Sequence, residues 1–328
     1  MDLLFNKKTK VLVLGAGGFI GTNLIKRLKP MNCHITGVDL KYPDFSEHIA
    51  DEYFINDLRN STEVDLIFNK TYDYIFQLAA DMGGAGYVFS GKNDADLMYN
   101  SSLINLNILN AVVKKEFKGV LFYASSACIY PEHNQTDSEN TNCEESSAYP
   151  ANPDSEYGWE KLYAERLYTS FKRNYNISIR IARFHNIFGP EGIFEGGKEK
   201  APAAICRKVI KAKEGETIEI WGDGMQTRSF LYIDDCIDAL LKLIKSPVDY
   251  PINIGSEEMI SINDLAKMVI GISGKKLYIK NIEGFQGVRS RSSDNRMIEK
   301  LLHWQPTNNL EVGMKTTYDW IQKKIDLN

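Results

Sequence analysis

Up to about Arg183 the chain alternates short β-branched or aliphatic runs with longer stretches whose apolar residues recur at helical spacing. The short runs predict strands at Val11–Leu14, His34–Val38, Glu52–Ile55, Tyr74–Leu78, Val120–Ala124 and Ser178–Ala182. The longer ones predict helices at Phe19–Leu28, Asp96–Lys115 and Tyr157–Arg173. Strands alternating with helices build βαβ units, which require a parallel sheet with right-handed crossovers. After Phe184 the texture changes. Glycines and prolines cluster from Gly189 to Pro202, and helices are predicted at Ala203–Ala212, Ile233–Ile244, Ile262–Ile270, Met297–Leu302 and Val312–Ile325. The expected fold class is α/β. A Rossmann-like doubly wound parallel sheet should occupy residues 1–183, and a smaller C-terminal α/β substrate domain residues 184–328, with some chain crossing between them. The Asn-, Glu- and Ser-rich stretch Pro131–Pro150 reads as a surface excursion.

Composition changes the picture mainly by exclusion. A formal charge of −4 disfavours nucleic acid as a partner, because neutralising phosphates needs a basic face, although a local basic cluster can still receive a diphosphate. The five cysteines (Cys33, Cys128, Cys143, Cys206 and Cys236) are widely spaced and form no CxxC pair. Neither a disulfide framework nor a metal site is expected, and reduced thiols fit a cytoplasmic setting. No stretch approaches the ~20 apolar residues of a membrane span, and the apolar run near the N-terminus is too short for a signal peptide.

Gly15-Ala16-Gly17-Gly18-Phe19-Ile20-Gly21 follows the first predicted strand and opens the first helix. Gly15, Gly18 and Gly21 suit a tight turn, a close approach to a pyrophosphate and tight helix–sheet packing. The helix N-terminus adds free N–H groups for the phosphates. Alone, such a loop is as easily a plain turn. Asp39, at the end of the second strand, can hydrogen-bond both ribose hydroxyls and would repel a 2′-phosphate, which favours NAD over NADP; Lys41 nearby pulls the other way. Asp57, after the third strand, is placed either to meet the adenine amine or to cap a helix. Leu58 and Ala79 fall beside the same expected crevice.

Tyr157 and Lys161 stand four apart at the start of a predicted helix, hence on one face. A nearby ammonium, with a nicotinamide cation, favours phenolate, so Tyr157 can take a hydroxyl proton as hydride leaves the same carbon. Ser126, at the end of a strand, would hydrogen-bond the reacting hydroxyl. The spacing Gly-x-x-Gly-x-x-Gly and this Ser–Tyr–Lys set resemble the extended short-chain dehydrogenases, the NAD-dependent epimerase/dehydratase group. Two residues past Ser126 lies Cys128, which is either a small core-filling residue or a base acting on C–H bonds that a 4-ketone has acidified.

Longer motifs sharpen the resemblance. Ala79–Gly84, Ser125–Glu132, Arg183–Ile187, Gly196–Ala204, Trp221–Gly224, Gln226–Phe230, Asn253–Ser256 and Gly287–Arg289 together resemble the GDP-mannose 3,5-epimerase family from Gly15 to about Trp320. One departure is the loop Gly83-Gly84-Ala85-Gly86-Tyr87, where the plant members carry methionine and phenylalanine. The resemblance implies a GDP-sugar substrate, bound NAD that is not consumed, and a homodimer built on Asp96–Lys115 and Tyr157–Arg173. It implies that Cys128 and Lys200 work on opposite faces of the sugar, inverting C5 and then C3. It also implies that Arg289 and Arg291 bind the nucleotide diphosphate, with Gly84, Asn186 and Arg228 as further substrate contacts. Each has a plainer alternative: a surface role for Lys200 and solvated loops for the arginines. Trp221 is expected in the core rather than near the base. Another sugar epimerase, a 4,6-dehydratase or a non-catalytic NAD-sensing protein are the rival readings; the dehydratase lacks its acidic residue at Ala127 or Cys128.

Overall fold

The computed structural model describes residues 5–137, 142–285 and 287–327. Part of the predicted surface excursion, residues 138–141, lies outside the described residues. In chain order the strands are β1 Lys10–Leu14, β2 His34–Asp39, β3 Glu52–Ile55, β4 Tyr74–Gln77, β5 Val120–Ser126, β6 Ser178–Phe184 and β7 Ile187–Phe188. Then come β8 Thr217–Trp221, β9 Thr227–Ser229, β10 Leu231–Tyr232, β11 Ile252–Ile254, β12 Met259–Ser261, β13 Tyr278–Ile282 and β14 Ser290–Arg291. The helices are α1 Phe19–Leu28, α2 Ser61–Ile67, α3 Ala85–Val88, α4 Asp94–Lys114 and α5 Glu156–Tyr175. They continue with α6 Ala201–Lys211, α7 Ile233–Lys245, α8 Ile262–Ser273, α9 Arg296–Leu302 and α10 Leu310–Asp326.

Seven strands form one parallel sheet in the order β11-β6-β5-β4-β1-β2-β3. Its central strands read as nearly continuous apolar runs because helices cover both faces. Alternation still sorts the residues. Leu12 and Leu14 of β1 join Ile104, Ile108, Ala164 and Tyr168 of α4 and α5, whereas Val11 and Val13 face Leu24 and Leu28 of α1 and the apolar face of α7. The strand order reverses between β1 and β4, and ligands of open parallel sheets bind at the C-terminal edge of such a switch point.

Beyond Phe184 the chain forms small sheets, β12-β9-β14, β13-β8 and β10-β7, with α6, α8 and α10 packed together. It also returns to the first unit: β11 adds to β6, and α7 packs on α1. Among the described residues no helix is long and apolar enough to cross a membrane.

Candidate active site

A cavity of about 750 Å³ opens at the switch point. Gly15, Gly18, Phe19, Ile20, Gly21, Asp39, Asp57, Leu58 and Ala79 all line it, as do Lys198 and Lys200 from the later half. Gly15 has φ +86°, which L side chains rarely adopt, and a Cβ on Gly21 would stand 2.1 Å from the Gly15 carbonyl oxygen. The loop is therefore a cradle that larger residues would fill. Asp39 is held by N–H donors from Gly17 (2.9 Å) and Leu40 (2.7 Å), and burial raises its pKa. Lys41 gives its ammonium to both oxygens of Asp44 at 2.6 Å. The residues present fit NAD. Asp57 does not cap α2; Asn60 does, accepting from the Thr62 N–H, and Asp57 instead grips Arg59 at the cavity wall.

Ser126, Cys128, Tyr157 and Lys161 do not line that cavity; they are tied to one another. The Ser126 hydroxyl accepts from the Cys128 N–H at 3.2 Å, opening the single turn that carries the thiol. Ser155 caps α5, and a Cβ on Gly158 would lie 2.2 Å from the Cys128 carbonyl oxygen. The first turn of α5 is thus seated on the cysteine turn, which sets Tyr157 beside it. Lys161 is buried, bonded to the Ala124 carbonyl (3.1 Å) and the Tyr123 hydroxyl (3.3 Å), with its ammonium 5.8 Å from the Tyr157 ring centre. Burial pushes the Tyr157 phenol up, Cys128 adds to the rise, and the Ser126 hydroxyl and Arg291 charge pull it down. The Lys161 ammonium bonds Ala124 and Tyr123 rather than the Tyr157 hydroxyl, and burial is the largest influence on the phenol.

Lys200 is half-buried at the start of α6. Burial depresses its pKa, and Cys128 is the foremost charge opposing that; the positive end of the α6 dipole adds to the depression. Gly84 donates its N–H to the Lys198 carbonyl at 3.0 Å, and a Cβ there would meet the Glu199 carbonyl oxygen at 2.1 Å. It positions the segment that carries Lys200 rather than lining the cavity.

The arginines separate. Arg289, part-exposed, pairs with Asp223 at 2.8 Å. Arg228 braces β9 against β14 through the Thr227 and Val288 carbonyls, and burial lowers its pKa to about 10. Arg291 is enclosed, bonded to Asp154, Gln135 and the Cys128 sulfur. Asn186 donates to the Ser229 carbonyl at 3.0 Å. Trp221 is 40% exposed and stacks edge-on with Phe285, so the expected core placement does not hold. Asp154 and Gln135 escaped the sequence reading. Asp154 had a weak signal in Asp154-Ser155 ahead of Tyr157; Gln135 had none.

The family model described as the NAD dependent epimerase/dehydratase family matches residues 11–255. The chain belongs to the NAD-dependent epimerase/dehydratase family. GDP-mannose 3,5-epimerase of Arabidopsis thaliana is 43% identical over 323 residues, spanning 98% of this chain and 84% of that protein. UDP-glucuronic acid 4-epimerase from Bacillus cereus, solved with UDP-glucuronic acid and NAD, superposes with TM-score 0.79 at 27% identity, covering 96% of this chain and all of that one. UDP-glucose 4-epimerase from Thermotoga maritima gives 0.82 at 23% identity, over 97% and 100% of the two chains, and supports the fold. The family's cofactor is NAD, and the cradle at Gly15–Gly21 with Asp39 has the lining to fit it.

His185 belongs to the motif after β6 and lies wholly buried. Asn253 spends its amide N–H groups on the Cys143 and Asp294 carbonyls, so its oxygen accepts from His185 Nε2 at 3.0 Å and leaves Nδ1 unprotonated. Burial first, then the Arg291 and Arg183 charges, drive the imidazole's pKa down to about 3. A depressed folded value means stability is complete above the unfolded value of about 6.5 and declines as pH falls toward the folded one. Between about pH 7 and pH 5 this group should cost about 2 kcal/mol. Urea unfolding of His185→Gln should show that much less acid sensitivity than the parent; equal pH slopes would refute the assignment.

Proposed function

We propose that this chain is a GDP-mannose 3,5-epimerase, converting GDP-mannose to GDP-L-galactose, with GDP-L-gulose arising from inversion at C5 alone. The observation that carries the reading is the pair Cys128, two residues past Ser126 in the cluster with Tyr157 and Lys161, and Lys200, at the start of α6 on the cavity wall. A 4-epimerase has no use for such a pair. The 43% identity to the Arabidopsis enzyme supports the same substrate.

In this reading Gly15, Gly18, Phe19, Ile20, Gly21, Asp39, Asp57, Leu58 and Ala79 hold NAD, with Tyr157 and Lys161 at its reactive end. When bound, NAD supplies reversible oxidation at C4. Tyr157 takes the C4 hydroxyl proton, with Ser126 holding the oxygen. Cys128 removes the C5 proton, leaving the electron pair in an enolate that Ser126 and Tyr157 stabilise. Lys200 delivers a proton to the opposite face; once the Cys128 thiol has returned its proton to Lys200, directly or through solvent, repetition at C3 completes the double inversion. Arg289, Arg228 and Asn186 are assigned to the GDP-sugar. Residues 1–183 serve mainly as the NAD-binding unit and 184–328 mainly as the nucleotide-sugar unit.

A homodimer through α4 and α5 is part of the proposal. Tyr99, Trp159 and Tyr163 leave large aromatic surface on these helices, the last two one turn apart. A cytoplasmic location is consistent with five free cysteines, four of them buried.

The test is proton NMR of the purified protein with GDP-mannose in deuterium oxide and no added reductant. Deuterium should enter at C3 and C5 as galactose and gulose signals appear. Exchange at neither carbon would overturn the assignment and turn attention to other nucleotide sugars.

A further inference from the structure

The span 195–200 joins Phe194 to α6 and brings Lys198 and Lys200 to the cavity wall. Both of its ends are fastened. Phe194 is buried, stacked on Phe45 at 5.3 Å and edge-on to Trp320 at 5.9 Å, and Glu199 pairs with Arg207 of α6 at 2.9 Å. Between these anchors Gly196 and Gly197 have φ +94° and +89°, with open space where a Cβ would point, so nothing beside them resists a swing of the span. Against the span lies the loop after β4, whose Asp81, Met82 and Tyr87 line the same cavity. Lys198 makes the crossing. Its ammonium lies 4.0 Å from the centre of the Tyr87 ring and 3.6 Å from Asp81 Oδ1, and its carbonyl accepts from the Gly84 N–H.

The receiving side is braced. The Tyr87 hydroxyl donates to Asp81 Oδ1 at 2.9 Å, the Asn100 amide donates to Asp81 Oδ2 at 2.9 Å, and the Asp81 N–H is held by the Ser101 hydroxyl. Asn100 in turn accepts from Arg59, which grips Asp57, so the receiver is continuous with the wall where Asp57 and Leu58 stand. Burial, then Asp81, push the Tyr87 phenol up to about 12, which keeps it a donor to the carboxylate and leaves its ring face to the cation. We propose that Lys198, Tyr87 and Asp81 form a latch that holds the span 195–200 over bound NAD and keeps the cofactor on the protein between turnovers. A cofactor that ends each cycle in its starting state need never leave, so slow release costs the reaction nothing. The proposal rests on NAD as the cofactor and not on which sugar is turned over.

The experiment loads the full-length protein with radiolabelled NAD, chases with excess unlabelled NAD and follows the label retained on a filter. Retention at equilibrium gives Kd, and the release rate divided by Kd gives the rate of entry. Lys198→Met should speed release by about 3–10-fold while Kd stays within about twofold, because the latch joins protein groups and loosening it speeds entry as well. Tyr87→Leu should do the same, and the two substitutions together should add little, as expected of partners in one contact. Lys198→Arg keeps a cation over the ring and should release NAD like the parent. Tyr87→Phe loses only the hydroxyl and should fall between parent and Tyr87→Leu. Unchanged release in Lys198→Met overturns the proposal. So does a raised Kd with unaltered entry, which would make Lys198 a direct phosphate ligand, and so do effects of the two substitutions that multiply independently. If Tyr87→Leu melts well below the parent, Lys198→Met and Tyr87→Phe decide. Failure of deuterium exchange from GDP-mannose would remove the sugar assignment and leave these rates as they are.

Discussion

Cys128→Ala is expected to lower deuterium uptake at C5 by about 10²–10⁴-fold while oxidation at C4, followed as reduced-nicotinamide absorbance, persists. The substitution removes little else. The N–H of residue 128 still donates to Ser126, and Arg291 keeps Asp154 and Gln135. The NAD cradle at Gly15–Gly21 and Asp39 belongs to a cavity that Cys128 does not line. Tyr157→Phe is the instructive contrast, since it should remove the absorbance change and the exchange together. Persistence of C5 exchange in Cys128→Ala, with inversion intact, would mean that another group is the base.

Much of this was legible from the chain alone, and the reasons differ by element. The strands of the main sheet stood out because burial on both faces makes them apolar runs, and α1 has a glycine loop before it and a charged end after it. By contrast α2 buries only Val64 and Ile67, too little to show a period. The strands β9 and β14 are Thr-Arg-Ser and Ser-Arg, with no apolar signal at all. Trp221 was misjudged although its strand held the answer: in Thr217–Trp221 only Ile218 and Ile220 are buried, so alternation puts Trp221 outside with Glu219. The cofactor residues were readable because one loop and the ends of three strands carry them. Arg291 was singled out by resemblance, but its contacts were not readable, because Cys128, Asp154 and Gln135 lie well over a hundred residues away and leave no local pattern.

The same distance between sequence and contact governs the other large effect expected, at Arg183. Its guanidinium clasps both oxygens of Glu165 at 3.0 and 2.8 Å, the two side chains are each only 5% exposed, and further bonds reach the Tyr130 hydroxyl and the Glu145 carbonyl. Glu165 also accepts from Ser125. Arg183→Met should therefore destabilise the fold by about 3–5 kcal/mol, because a buried carboxylate loses its counter-charge and keeps only one hydroxyl donor. Replacing Glu165 with leucine as well should recover most of that loss, since the penalty comes from the orphaned charge rather than from the absent attraction. Urea unfolding of the two variants measures both, and a single-variant loss below about 1 kcal/mol would show the pair to be solvated in solution. The pair also bears on the chemistry. Glu165 follows Lys161 by one turn of α5, Ser125 precedes Ser126 on β5, and Tyr130 follows Cys128 in the next turn. In the double variant, stability can return while the spacing of Ser126, Cys128 and Lys161 does not. Activity that stays low in a refolded double variant would assign the ion pair to holding the catalytic segments in register.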